Sequence, residues 1–262
     1  MTDKQTVMIK TADADLEVIL RGKAGPWIVM LPAGGRGADD FDILAAELVN
    51  AGWQTAAVNP QGVGNSTGPL ENLTLHDCAK DVFEIIRALG GIPAAVLGHA
   101  WGNRVARCLA AAFPESVRCL ILLAAGGKVP MATEVVEAMQ RMRDRLNKRE
   151  TLSALKTAYF ANASDPSAWL TGFWPNSAKA IKRAAMASCL DDWWSGGEAP
   201  ALVIQGKEDR CALPENGYLL KREYGDRISL IDLDNAAHAL LPERPHAIAQ
   251  AVIHYLKDYV EL

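Results

Sequence analysis

Short apolar runs alternate with segments of helical spacing along most of this chain. Asp15 to Arg21 alternates and then turns apolar, and Trp27 to Leu31 is a continuous apolar run suited to burial on both faces of a sheet. Both are predicted strands. Phe41, Leu44, Ala45 and Leu48 share one helical face, and Asn50-Ala51-Gly52 supplies the stop. Trp53 to Val58 then reads as a strand and Pro60 to Gly68 as a loop. Next come an amphipathic helix from Leu75 to Leu89 closed by Gly90-Gly91, and a strand from Ala94 to Leu97. A helix from Asn103 to Phe113 and a strand from Val117 to Ala125 follow. This order predicts an α/β fold: a mostly parallel central sheet with helices on both faces, because parallel neighbours need crossover connections.

The alternation breaks at Met131 and returns at Ala201 to Gln205. Residues 131–199 look helical, with Val135, Val136, Met139, Met142 and Leu146 predicted on one face and Arg141, Arg145 and Lys148 on the other. We therefore expect a core from residues 1–130 and 200–262 and a helical cap from 131–199. After the strand at Ala201, the pattern predicts a helix from Pro214, a strand from Ile228 to Leu233, and a final helix from Glu243 to Tyr259.

Composition narrows the function classes. Half of the 262 residues are apolar and the formal net charge is -4, so the basic surface that phosphate contacts require is missing and nucleic acid is not an expected partner. Met1 to Val7 lacks the succession of a secretory signal, and no apolar run is long enough to span a membrane. A cytoplasmic protein acting on a small molecule, as a monomer or an oligomer, is expected. Cys78, Cys108, Cys119, Cys189 and Cys211 form no CxxC pair and have no metal-like spacing to histidine, so they read as buried free thiols, with no metal site. The densest glycine cluster, Gly34-Gly35-Arg36-Gly37, lacks dinucleotide-loop spacing, and no cofactor is expected.

In parallel sheets the ligand site lies beyond the carboxyl ends of the strands, which directs attention to four segments. Gly98-His99-Ala100-Trp101-Gly102 joins a predicted strand to a predicted helix, with glycines two residues either side of its centre. That spacing, in that context, is the nucleophile elbow with alanine where serine is usual. The chain thus resembles the α/β-hydrolase superfamily. Asn59-Pro60-Gln61-Gly62-Val63-Gly64-Asn65-Ser66 supports the resemblance, because it looks like the superfamily's Asp-x-Arg-Gly-x-Gly-x-Ser loop with two exchanges at mainly structural positions.

The resemblance implies roles for the other segments. Asp209, after the strand at Ala201, would be the acid, and His238, after the last strand, the histidine; Ala237 stands before it where glycine is usual. The NH of Trp101 with that of Gly34 or Gly35 would form an oxyanion hole. Arg36 either faces the ligand or is a solvated loop residue. His99 either lines the pocket or supports the elbow. Trp169 and Trp174, with Tyr159, Phe160, Phe173, Trp193 and Trp194, would line an apolar pocket or simply pack the cap. The run Arg141, Arg143, Arg145, Lys148, Arg149 would attract an anion or form a solvated face, the second being preferred. His76, His246 and His254 read as surface or packing residues.

A methyl group cannot attack a carbonyl, so Ala100 excludes the acyl-serine route. Three readings follow. The chain carries a serine-to-alanine exchange in an ordinary serine esterase or C–C hydrolase; or it works with the His238–Asp209 dyad alone, by water-mediated hydrolysis or by proton abstraction as in a lyase or cofactor-independent oxygenase; or it only binds a ligand. Asn59, Gln61 and Ala237 favour natural divergence over a single exchange. The retained acid and histidine favour the dyad, and the expected substrate is a small apolar or aromatic carbonyl or ester.

Overall fold

The structure, a computed structural model, describes residues 4–142 and 147–259. Eight strands form one sheet in the order β1-β2-β4-β3-β5-β6-β7-β8. They are β1 (Lys4–Lys10), β2 (Asp15–Arg21), β3 (Trp27–Leu31), β4 (Gln54–Val58), β5 (Ala94–His99), β6 (Val117–Leu123), β7 (Ala201–Gly206) and β8 (Ile228–Leu233). β2 pairs antiparallel with β1 and with β4, and the pairings from β4 through β3 to β8 are all parallel. The mostly parallel α/β sheet expected from the sequence is therefore present, with one strand more than the pattern indicated. β1 escaped because it is an edge strand with no fully buried residue, so its alternation carries little apolar contrast.

Both faces of the central strands are covered, which explains their unbroken apolar runs. Val29, Leu31, Val96, Leu120 and Leu122 pack on α2 (Leu75–Ala88) and α3 (Trp101–Ala112). Their neighbours in sequence, Ile28, Met30, Leu97, Ile121 and Leu123, face α1 (Asp42–Asn50) and the C-terminal helix, through Phe41, Leu44, Leu48, Ile248 and Val252. The period of two along each strand thus builds two cores from one sheet. The predicted final helix is in fact two pieces after the intervening helix α7 (Glu215–Tyr224): α8 (Leu240–Glu243) and α9 (Pro245–Leu256). Pro245 forces the break, since the residue before a proline avoids helical geometry, and Arg244 sits at φ -138 and ψ 45.

Between β6 and β7 lie α4 (Thr133–Arg141), α5 (Lys148–Tyr159) and α6 (Pro175–Ala187). Val135 and Ala138 turn inward on α4, but Val136 is 41% exposed: one residue on from Val135 it is rotated off that face. Arg141, Lys148 and Arg149 are exposed, as a solvated face requires, whereas Arg143, Arg145 and Leu146 lie outside the described residues. This insert is tied to the loops at the carboxyl edge of the sheet. The Trp174 NH donates to the Gly35 carbonyl at 2.8 Å, the Ala239 NH to the Tyr159 carbonyl at 2.8 Å, and the Ala161 NH to Glu243 Oε1 at 2.7 Å.

All five cysteines are free; Cys108 and Cys119 are buried, but Cys189 is exposed and Cys78 and Cys211 are partly so. The expectation of uniformly buried thiols fails because Cys189 precedes a short surface turn and Cys211 lies in the loop after β7. No helix of the described residues is long and apolar enough to cross a membrane.

Candidate active site

The elbow sits where β5 meets α3. Ala100 adopts φ 50 and ψ -103, a backbone state that costs a non-glycine residue about 1–3 kcal/mol and persists only when its surroundings impose it. Those surroundings are visible. A Cβ on Gly102 would stand 2.1 Å from the Leu31 carbonyl oxygen, and one on Gly98 would stand 2.4 Å from the Asn103 nitrogen. Only glycine fits at either place, so the strand can turn sharply into the helix. The NH groups of Trp101, Gly34 and Gly35 make no hydrogen bond to another described residue, which leaves three donors available beside the elbow. Gly35, at φ 76, is also the floor on which Phe173 and Ala178 of the insert rest.

Asp209 follows β7 and is 2% exposed. Its Oδ1 accepts the NH groups of Cys211 and Ala212, both at 2.8 Å, and its Oδ2 pairs with His238 Nδ1 at 3.0 Å. The loop after β8 delivers His238, whose carbonyl accepts a hydrogen bond from His99 Nε2 at 2.8 Å. A carbonyl can only accept, so the His99 proton is on Nε2 and its buried Nδ1 is left without a partner. His99, the residue before Ala100, thereby joins the elbow to the dyad. The rings of the two histidines stand 5.7 Å apart.

Burial, reinforced by the neighbouring His238, pushes the His99 imidazole down to about 4. His238 moves the other way. Burial alone would lower it, but the Cys211 sulfur and the Asp209 carboxylate, by charge and by hydrogen bonding, together hold it well above the ordinary histidine range.

Trp169 is buried among Tyr159, Phe160 and His99, at ring separations of 5.3, 5.5 and 6.2 Å, and Tyr159 in turn lies 5.7 Å from the His238 ring. Arg36 is no solvated residue: it pairs with Asp40 at 2.5 Å, donates to the Thr171 carbonyl at 2.6 Å, and stacks over Trp169 at 5.0 Å. Trp174 is 39% exposed, and the structure brings only its backbone to the Gly35 loop. Trp193 and Trp194 lie apart from the dyad, stacked on Arg104 and Arg107 of α3. Two clefts of about 470 and 380 Å³ flank the dyad, and neither is lined by Ala100 or His238.

The loop at Asn59 is buried support. Asn59 accepts the Ala38 NH at 2.7 Å and donates to Glu17 at 2.8 Å, while Gln61 donates to Asp81 at 2.8 Å. Neutral amides here meet carboxylates already in place. Sequence reasoning gave no role to Cys211, whose sulfur is among the groups that raise the His238 imidazole. The available signal was its position two residues after the acid, within the loop that the acid itself organises.

A family model described as the alpha/beta hydrolase fold matches residues 26–154. With the sheet order and the elbow, this gives the chain the α/β-hydrolase fold. It is 27% identical over 237 residues to the pimeloyl-[acyl-carrier protein] methyl ester esterase of Neisseria meningitidis, covering 84% of this chain and 88% of that one. A stretch of 78 residues is 33% identical to bifunctional epoxide hydrolase 2 of Sus scrofa, spanning 29% of this chain and 14% of that protein's length. Among solved structures, the esterase EaEST from Exiguobacterium antarcticum superposes with a TM-score of 0.80 at 19% identity, covering 97% of this chain and all of that one; it shows the shared fold.

Proposed function

We propose that this chain is a hydrolase of small apolar or aromatic esters and related carbonyl compounds that works without a serine nucleophile. The observation that carries the reading is the buried 3.0 Å contact of His238 Nδ1 with Asp209 Oδ2, beside an elbow still held in its strained conformation. Asp209 fixes the tautomer that leaves His238 Nε2 to move protons. His238 takes the proton of the attacking group, for which a bound water is the simplest candidate, and later returns it to the leaving alcohol. The NH of Trp101, with that of Gly34 or Gly35, stabilises the oxyanion.

The insert serves as a cap: Trp169, Tyr159 and Phe160 supply an apolar wall, and Arg36 holds the Thr171 segment in place. The same base could take a proton from carbon, but the named activities of the similar proteins, a methyl ester esterase among them, favour hydrolysis. A panel of aryl esters tests the reading. His238→Ala should lower kcat/KM by about a hundredfold or more. An unchanged rate in that variant, or no turnover by the wild type, would sink it.

A further inference from the structure

We propose that the outer face of α6, with the two aromatics that precede it, is a docking surface for an anionic lipid membrane. The inference concerns the outside of the insert and is independent of the chemistry proposed for His238. It starts from the order of residues in α6. At about 100° per residue, Lys179, Lys182, Arg183 and Met186 fall within an arc of about 100°, and Ser177, Ala180, Ile181 and Ala184 fall opposite them. The structure keeps that division: the second set is buried and the first is exposed, Met186 to 78%. The inner face already has its partners, since Ile181 and Ala184 pack into the same core as Trp101 and Leu75. The outer face is left to solvent.

Charge and aromatic placement say what that face suits. α6 carries three cations and no acidic residue, in a chain whose formal net charge is -4. None of the three forms an ion pair among the described residues, and Arg183 donates to the Leu70 carbonyl at 3.1 Å. The acidic residues nearest in the chain lie off the helix: Glu71 follows Leu70 in its loop, and Asp191 and Asp192 come after the helix has ended. At the N-terminal end stand Phe173 and Trp174, 59% and 39% exposed. Both are held in place. The Trp174 NH donates to the Gly35 carbonyl at 2.8 Å, its carbonyl accepts the Ala178 NH at 3.0 Å, and a Cβ on Gly35 would lie 2.7 Å from Phe173 Cε2. Half-exposed aromatics beside a row of cations match the interfacial zone of a bilayer, where rings sit at headgroup depth and ammonium groups meet lipid phosphates.

An acidic protein is the other occupant that such charges could attract, and the layout of the face favours lipid. Phe173 and Trp174 at one end and Met186 at the other are separated by the cationic stripe, so they do not make the contiguous apolar centre around which a protein interface packs. A bilayer takes up each side chain singly. Because Phe173 rests on Gly35, docking through this face turns the Gly34-Gly35 loop toward the bilayer, the phase in which apolar compounds concentrate.

The test is co-sedimentation of the full chain with phosphatidylglycerol vesicles, with phosphatidylcholine vesicles as the neutral control. The expected result is binding to the first and little to the second, weakened by added salt. Lys179→Gln combined with Lys182→Gln should weaken that binding by about twentyfold or more, at about fivefold for each cation, with Tm unchanged because both side chains are exposed. Tryptophan quenching by brominated phosphatidylglycerol is the independent readout: it should be clear in the wild type and largely lost in Trp174→Phe. Failure to sediment with phosphatidylglycerol, equal binding to both lipids, or undiminished binding by the folded double variant would overturn the proposal. Quenching that persists in Trp174→Phe would put the contact elsewhere and overturn it too. Binding to soluble polyglutamate without binding to vesicles would assign the face to an acidic protein and overturn the lipid reading.

Discussion

Acidification should destabilise this protein through one residue that the chemistry does not consume, His99. In the folded chain burial and the neighbouring His238 hold its imidazole down to about 4, whereas the unfolded chain takes up the proton near the ordinary 6.5. Between those values the unfolded state binds more protons than the folded one, so the free energy of unfolding falls as pH falls. The loss starts below about pH 6.5, reaches about 3 kcal/mol by about pH 4, and then stops because both states are protonated. The Nε2–H bond to the His238 carbonyl at 2.8 Å survives protonation; the added proton would put charge on Nδ1, which is buried without a partner. Urea denaturation in half-unit pH steps, on the wild type and on His99→Gln, isolates the effect. The variant loses stability at neutral pH, and the gap between the two proteins should shrink by about 3 kcal/mol on the way to pH 4. A gap that stays constant across that range would refute the assignment of a neutral, desolvated His99.

Two further substitutions probe the elbow itself. Gly102→Ala drives a methyl to 2.1 Å from the Leu31 carbonyl, a backbone atom that cannot step aside, and should cost about 3 kcal/mol or more, read as a lowered Tm. Ala100→Ser adds a hydroxyl at a residue already at φ 50; if the dyad is catalytically arranged, a fluorophosphonate should label Ser at position 100. Absence of label in a folded variant would count against that arrangement.

The parallel sheet was legible in the sequence because strands buried on both faces advertise themselves as unbroken apolar runs, as Trp27 to Leu31 does. β1 was not, since half-exposed edge residues blur the alternation. Site residues followed a similar division. Asp209 and His238 were legible as candidates because each lies in the loop after a strand, in the order that the resemblance implies, and the fold brings His238 Nδ1 to 3.0 Å from Asp209 Oδ2. Arg36 could not be placed from its neighbours in sequence, because its burial depends on Thr171 and Trp169, far along the chain. Trp174 misled for the complementary reason: an aromatic in a covering segment says nothing about which way its ring points, and this one is partly exposed. Cys211 was read by its spacing to other cysteines, whereas the fold ties its NH to Asp209 Oδ1 and packs it against Val135, Ala138 and Ala158 of the insert.

What remains to be explained is why Ala100 keeps a conformation that costs about 1–3 kcal/mol when it has no nucleophile to present. The strain does a second job that does not need a side chain. The sharp turn starts α3 at Trp101, puts its unbonded NH at a helix N-terminus, and carries His99 into contact with the His238 carbonyl. On the proposed reading the elbow therefore supplies the oxyanion donor and the brace for His238, while the loop after β7 supplies the acid. A site divided in this way can lose its hydroxyl and retain a reason to preserve both glycines, because relaxing the turn would move the oxyanion donor and His238 together.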